Sequence, residues 1–450
     1  MSIDSSAGPG GIGASYGRRT TISARKYNTE VVYGDTFREG GDGPFGDSAS
    51  ATGGVKRISN PGTVFSKVGS QGLTDYELTN GAIGAIDTTI TRDGSPTLRV
   101  TRATAGTSTV RILHAKTPVL NRNGRVGVWV FVPDYTRLTA LVPKIALNDD
   151  TFATGYFQTY SFTDSDKRYN GWHFVSFSGA DWTGVWGTPD WATQPVFQIW
   201  FDVITSAADA TVYIDQWQIG WTGVPQIMIT DDDGYANWFT RGLPVLNAYG
   251  LKCAASVVAG LIGTNAAWAT EQMLTSAYEQ GHELVPHGAT ALSLLADEAA
   301  READILANRD YLTSRGYTKG ADFYVYPNGV YQLSAGDQEI INILKRNGFK
   351  AARGTTSPRY AKPAVGYADS RWLLPIIGMD TSTSAATIKQ RIDLGVANGD
   401  LMILMLHDIV PSGGTSIDVT VDKLDEVCKY IAELIGQGKL ENVTPSQVYN

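Results

Sequence analysis

The sequence predicts a multidomain chain, an antiparallel β-sandwich followed by an α/β domain built on mostly parallel strands. Short alternating runs separated by Gly, Asn, Asp and Pro turns fill residues 61–221, and from residue 222 apolar runs alternate with amphipathic stretches that end in Gly. A segment of residues 1–60 rich in Gly, Ser, Asp and Thr precedes both. At 450 residues, 18% charged and 42% hydrophobic, the chain is long enough for two or three globular domains.

In residues 1–60 the stretches GPGGIG and EGGDGPFGDSASATGG sustain no period of 2 or 3.6, so little core can come from them. They read as a flexible or assembly segment, with one short strand expected at 29–33. The β-rich part shows strand patterns at 97–101, 126–132, 171–178, 196–203 and 210–219. In the second of these Val126, Val128, Val130 and Val132 point one way while Trp129 and Phe131 point the other, so both faces of that strand should be covered. Trp129, Trp172, Trp182, Trp186, Trp191, Trp200 and Trp217 make the region aromatic. Most should pack in a core or an interface; a ring left exposed could stack on the face of a sugar. The closing run TVYIDQWQIG, preceded by FQIWFDVITSAADA, resembles the last strands of jelly-roll carbohydrate-binding modules.

Beyond Trp221 the buried-strand patterns lie at 226–230, 252–258, 284–285, 323–326, 349–352 and 401–406. Helical patterns at 295–314, 338–346, 387–397 and 423–434 separate several of them, with Gly316, Gly348, Gly399 and Gly436 near the places where C-caps belong. Functional groups of such a domain gather at the carboxyl ends of its strands.

Composition removes several classes. Forty-five acidic against 37 basic residues, a net charge of −8, provide no global positive field for nucleic acid. Cys253 and Cys428 sit in apolar segments far apart and read as core residues. The sequence has no run of 18 apolar residues, so no membrane insertion is expected, and MSIDSSAGPGGIGASYG has neither the basic start nor the apolar stretch of a signal peptide.

Two features can carry chemistry. Asp231, Asp232 and Asp233, followed by Gly234, stand at the end of the apolar run QIMIT. Clustered carboxylates repel one another unless a cation, an arginine or a proton compensates, so a metal site is the simplest reading and a solvated turn the plain alternative. Of five histidines, His282, His287 and His407 lie in the α/β half, the last two just past strand ends; His114 and His173 read as structural.

Together these fragments resemble the polysaccharide deacetylase family, carbohydrate esterases with the NodB homology domain and a distorted (β/α) barrel, over residues 222–450. TDDDG, Thr230 to Gly234, matches the first motif and puts Asp232 on the catalytic base and Asp233 on the metal ligand, with Asp231 in an apolar slot. GHELVPHGATA puts His287 on the first metal histidine, but the second position is Ala291. YPNG, Tyr326 to Gly329, implies an oxyanion site at the Asn328 amide; AARG places Arg353 where an arginine orients the catalytic aspartate; and LHD makes His407 the general acid. Tyr326 and Tyr235 are expected to meet substrate. The resemblance implies a divalent cation, zinc foremost. With Ala291 the site could be completed by water, by Asp297 or Glu298, or by His282, although five residues before His287 falls on the opposite face of a continuous strand; otherwise the site is degenerate.

The resemblance implies removal of acetyl groups from a bacterial surface polysaccharide. The glycine-rich start, the β-domain and the glycan enzyme also resemble the build of phage tail spikes and fibres, which implies a virion location, other tail proteins as partners and a homotrimer. The rivals are a glycan-binding virion protein that has lost its metal and a bacterial cell-envelope deacetylase. Glycosidase action would need two carboxylates about 5–10 Å apart across a cleft, which adjacent residues at one strand end do not suggest.

Overall fold

The computed structural model describes residues 58–60, 63–66 and 76–449, apart from 92–95, 113–124, 148–153, 165–166, 179–183, 190–196, 220–221, 224, 289–291 and 356–370. The expectations for the N-terminal segment with its strand at 29–33, for His114 and for Ala291 lie outside the described residues, as do Trp182 and Trp191.

Two antiparallel sheets form the first unit. One runs in the order Gly171–Ser178, Arg125–Val132, Ala210–Ile219, Thr97–Arg102, Ala82–Asp87, with Thr63–Ser66 also on Ala210–Ile219. The other runs Gly184–Trp186, Thr154–Phe157, Leu138–Leu147, Phe197–Thr205, Gly106–Ile112, Tyr76–Thr79, with Tyr160–Ser161 on Leu138–Leu147. Between them Leu98, Val128, Val130, Val132, Leu141, Val175, Phe201, Val212 and Ile214 form one apolar core. His173 is a core residue, as its sequence position suggested. Its Nε2 meets the Tyr169 carbonyl at 3.0 Å and its Nδ1 the Tyr160 hydroxyl at 2.9 Å, and burial lowers its pKa to about 3.

The second unit is a ring of parallel strands. Gln226–Asp231 pairs with Cys253–Val257, which pairs with Glu283–Pro286; a bridge from His287 to Val325 leads to Phe323–Val325, which pairs with Ala351–Arg353. A bridge from Arg353 to Leu374 leads on to Ile377–Gly378, which pairs with Leu401–Leu406, and this strand returns to Gln226–Asp231. Helices Glu298–Thr313, Glu339–Arg346, Ala385–Asn398 and Val421–Gly436 agree with the sequence patterns to within a few residues. Gly399 caps its helix in the left-handed conformation, as expected, whereas Gly436 is the last helical residue and Gly438, at φ +69°, makes the turn. Leu243–Ala248 and Glu271–Glu279 are helices that the apolar periodicity did not announce.

Strand alternation sorts the ring residues into two sets. Ile227, Ile229, Cys253, Ala255, Leu284, Met402 and Leu404 face outward and pack with helix residues such as Leu274, Leu424, Val427 and Cys428. Met228, Ala254, Val285, Phe323, Ala351, Leu401 and Ile403 face inward, near the beginnings of their strands, and pack with Trp129 and Trp172 of the sandwich. The outer face of the first sheet and the C-terminal residues Val443, Val448 and Tyr449 therefore cover the amino-terminal end of the ring together, which explains why both faces of Arg125–Val132 are apolar. The Tyr135 hydroxyl adds a polar tie, accepting from the Gly336 amide at 2.8 Å and donating to Gln332 Oε1 at 3.0 Å.

With the floor made from both units, Trp129→Ala should cost about 3–5 kcal/mol, and denaturant unfolding followed by near-ultraviolet and far-ultraviolet circular dichroism should show one transition moving to lower concentration. Two transitions, of which only one moves, would mean that the units unfold independently.

Candidate active site

The inward-facing residues change character at the carboxyl ends of the strands. Above Met228 come Thr230 and Asp232, above Ala254 comes Ser256, above Val285 comes His287, above Ala351 comes Arg353, and His407 follows Leu401–Leu406. Parallel strands bring these residues to one rim because every strand enters from the sealed floor.

Asp232 is the hub. It is buried, its backbone N–H donates to the Leu406 carbonyl at 2.9 Å, and its Oδ1 accepts from Arg353 Nη2 and, at 3.3 Å, from Ser256 Oγ. His407 Nε2 lies 3.9 Å from its Oδ2. Burial alone would raise the pKa of this carboxyl, but the charge of Arg353, with contributions from His287 and His407, prevails and holds it below the ordinary carboxylate range. A buried guanidinium is the natural compensator, because it stays charged in any protein environment.

Asp233 and Gly234 turn the chain out of the strand with φ of +72° and +76°. A left-handed non-glycine residue is uncommon and best tolerated by Asp or Asn. The turn points the Asp233 carboxylate at His287, whose Nε2 is 3.2 Å from Oδ1. His287 Nδ1 lies 2.9 Å from the Val325 carbonyl, an acceptor only, so Nδ1 carries a proton and donates it there. The Nε2 lone pair thus faces a carboxylate, an arrangement that requires a cation or a second proton between them. The fixed tautomer is the support that metal-ligating imidazoles use. Among the described residues there is no group of three or more His, Cys, Asp or Glu side chains that could hold a metal, so this pair is what those residues offer.

The other suggested donors are committed elsewhere. Nδ1 of His282 accepts from the Cys253 amide at 3.2 Å and its Nε2 donates to Asn247 Oδ1 at 3.1 Å, and burial lowers its pKa to about 4. It is a structural histidine and not a metal ligand. Asp297 caps its helix through the Ala300 amide, and Glu298 pairs with Arg346 at 2.6 Å.

Asn328 is exposed at φ +53° in the Pro327–Gly329 turn, whose hydrogen bonds run from the Gly329 and Val330 amides, leaving its own amide out of them. Tyr326, expected to meet substrate, is instead wholly buried with its hydroxyl donated to the Trp372 carbonyl at 2.8 Å, so its side chain supports the loop from behind. Tyr235 remains half-buried beside Asp233 and stacks on Trp268, centroids 4.8 Å apart. Burial and the neighbouring carboxylates of Asp233 and Asp408 raise its hydroxyl pKa. Sequence reading missed Trp268 and Ser256. Ser256 was findable as the inward-facing residue near the end of Cys253–Val257, but Trp268 lies in a loop without period.

Asp231 has a different role from its two neighbours. It faces outward among apolar residues, has no exposed surface, and among the described residues neither carboxylate oxygen has a hydrogen-bond partner. Burial first, then the charges of Asp232, Asp233 and Asp408, push its pKa well above the ordinary value. It is therefore an acid kept neutral in a place that suits an apolar side chain.

Residues 220–352 match the family model described as polysaccharide deacetylase, so this stretch carries a polysaccharide deacetylase domain. The match ends before Arg353 and His407, whose place in the site rests on the geometry above. Among curated proteins there is no match. Solved structures similar to this chain include a family 4 acetyl xylan esterase from Clostridium thermocellum, at 21% identity over 50% of this chain and 89% of the other, TM-score 0.33. A family 4 carbohydrate esterase from Streptomyces lividans is similar at 12% identity over 49% and 90%, TM-score 0.31. The Streptococcus pyogenes deacetylase PplD is similar at 19% identity over 37% and 69%, TM-score 0.31.

Asp231→Asn should stabilise the protein by about 1–3 kcal/mol near neutrality. Below the unfolded carboxylate value, 3.8, both states are protonated and the group is neutral to stability. As pH rises through that value toward the raised folded one, the unfolded chain gains by ionising while the folded chain does not, and stability is lost. The advantage of the amide should thus grow between about pH 4 and about pH 7 in urea titrations; a constant advantage would contradict a neutral buried acid.

Proposed function

We propose that the C-terminal unit hydrolyses N- or O-acetyl groups of a bacterial surface polysaccharide, that the ring is a distorted (β/α) barrel of the NodB kind, and that a divalent cation, zinc foremost, is held by Asp233 and His287. The observation that carries this reading is Asp232: one rim holds a buried carboxylate paired to Arg353, an imidazole 3.9 Å away, and a second carboxylate–imidazole pair beside it.

An acetamide or acetate ester resists water near neutrality. A cation held by Asp233 and His287 would acidify water and polarise the acetyl carbonyl. Asp232, kept ionised by Arg353, accepts the proton from water as its oxygen bonds to the carbonyl carbon. In this reading the Asn328 amide, outside the hydrogen bonds of its turn, donates to the developing oxyanion. His407 delivers a proton to the departing amine or alkoxide as the carbon–nitrogen or carbon–oxygen bond breaks. Tyr235 and Trp268 form an aromatic wall beside Asp233 that suits the apolar face of a sugar ring.

Acetate release from an acetylated glycan should fall at least about a hundredfold in Asp232→Asn, a typical cost for losing a general base, and comparably in His407→Ala. Wild type and Asp233→Ala equally inert on acetylated xylan, chitooligosaccharide and bacterial capsule would favour the second reading, a glycan-binding protein with a degenerate metal site, which Ala291 supports. Cation binding has its own measurement: added Zn²⁺ should raise the thermal midpoint of the wild type by a few degrees and leave Asp233→Ala unmoved, while equal response of both proteins would remove Asp233 as a ligand.

The order of segments is what favours a location for the protein. A glycine-rich stretch, a sandwich and a glycan-directed esterase in one chain support a phage tail spike or fibre assembled as a homotrimer beside other tail proteins, with a cell-envelope deacetylase as the alternative home.

A further inference from the structure

We infer that the outer face of the second sandwich sheet, remote from the ring, carries a groove that binds a neutral polysaccharide chain. Strands Gly184–Trp186 and Thr154–Phe157 pair so that Gly184 stands opposite Phe157 and Trp186 opposite Gly155. A Cβ on Gly184 would come within 2.3 Å of Phe157 Cζ, and one on Gly155 within 2.3 Å of Trp186 Cη2. Each ring therefore lies down across the glycine of its partner strand instead of standing off the sheet. This diagonal pair of aromatics and glycines lays two partly exposed rings flat on one surface.

Beside the rings is a cavity of about 450 Å³, within the range of small-ligand sites. Its apolar floor includes Val142 and Ile204. Lys144, the register partner of Phe157, pairs there with Asp202, whose Oδ1 also accepts from Thr109 Oγ1 at 2.8 Å. The sandwich core does not need these groups, since Leu141, Ile145, Phe201 and Val203 fill it from the other face of the same strands.

The lining matches a pyranose, which has an apolar C–H face and an edge of hydroxyls. The flat rings take the face; the ammonium donates to hydroxyls and the carboxylate accepts from them. Because that pair is mutually neutralised, the groove favours an uncharged sugar over a uronate or a protonated amine. Choosing a glycan also rests on the polysaccharide-directed reading of the ring, but the groove and the rim share no residue.

Native electrophoresis of the full chain through gels containing arabinoxylan, galactomannan, hydroxyethyl cellulose or glycol chitin separates the groove from the catalytic site. Wild type and Asp232→Asn should be retarded equally by at least one polymer. Trp186→Ala should bind at least about tenfold more weakly, as expected for loss of a buried aromatic anchor, with Trp186→Phe retaining most of the affinity and Lys144→Met losing part of it. Trp186→Ala should still release acetate from a small soluble ester at the wild-type rate, which checks that it folds. The inference is overturned by no retardation in any of the four gels, by equal retardation of wild type and Trp186→Ala, or by sedimentation showing that Trp186→Ala dissociates a dimer, since the face would then belong to a second copy. Loss of acetate release with retardation intact would count against the ring chemistry alone.

Discussion

A ring of parallel strands has two ends, and sealing one of them decides what the other can be. Trp129 and Trp172 share one apolar cluster with Met228, Val285, Phe323 and Leu401 at the start of the ring and with Val443, Val448 and Tyr449 of the C-terminal segment. Low in the ring an inward-facing polar residue needs a partner, as Glu283 finds in the Thr444 hydroxyl at 2.6 Å and the Ser446 amide at 2.9 Å, and the other polar residues collect where the strands end. Asp232, His287, Arg353 and His407 all sit one or two inward positions above the apolar layer. The sandwich is therefore part of the scaffold on which the rim is assembled.

Three consecutive aspartates show how alternation and one turn divide a single motif. Asp231 faces outward, neutral and without a hydrogen-bond partner among the described residues; Asp232 faces inward, ionised and paired to Arg353; Asp233 is in the left-handed turn, pointing at His287. Arg353 has two effects on its partner. It keeps the carboxylate charged in a buried place, and it lowers the basicity of the group that has to accept a proton. Such a base works best on water that is already acidified, which is the service a cation at the neighbouring pair would provide.

Much of this was legible in the chain. Leu401–Leu406 was readable to the residue because six apolar residues end in a histidine, and the two faces of Arg125–Val132 were readable because Val alternates with Trp and Phe. What sequence could not give is how distant segments meet. Tyr326 was expected to meet substrate, yet its ring belongs to an apolar cluster with Tyr324, Tyr331 and Phe349. His282 looked like a spare ligand, yet the strand places it behind the ring against Asn247. Trp268 joins the site through the Gly234 and Ala236 hydrogen bonds to Ala269 and Ala267, contacts that no periodicity records.

The layers also set how a polymer could use the molecule. The second sheet faces away from the ring, the first sheet lies between, and the rim opens at the far end of the strands. A sugar seated over Trp186 and Phe157 cannot reach Asp232, so a groove there acts on a different stretch of chain from the one being deacetylated. Its effect would be to hold a long polymer near the protein and raise the local concentration of acetyl groups at the rim. That benefit vanishes for short oligosaccharides, which cannot span both places, so the two sites would be coupled through the length of the substrate and not through any movement of the protein.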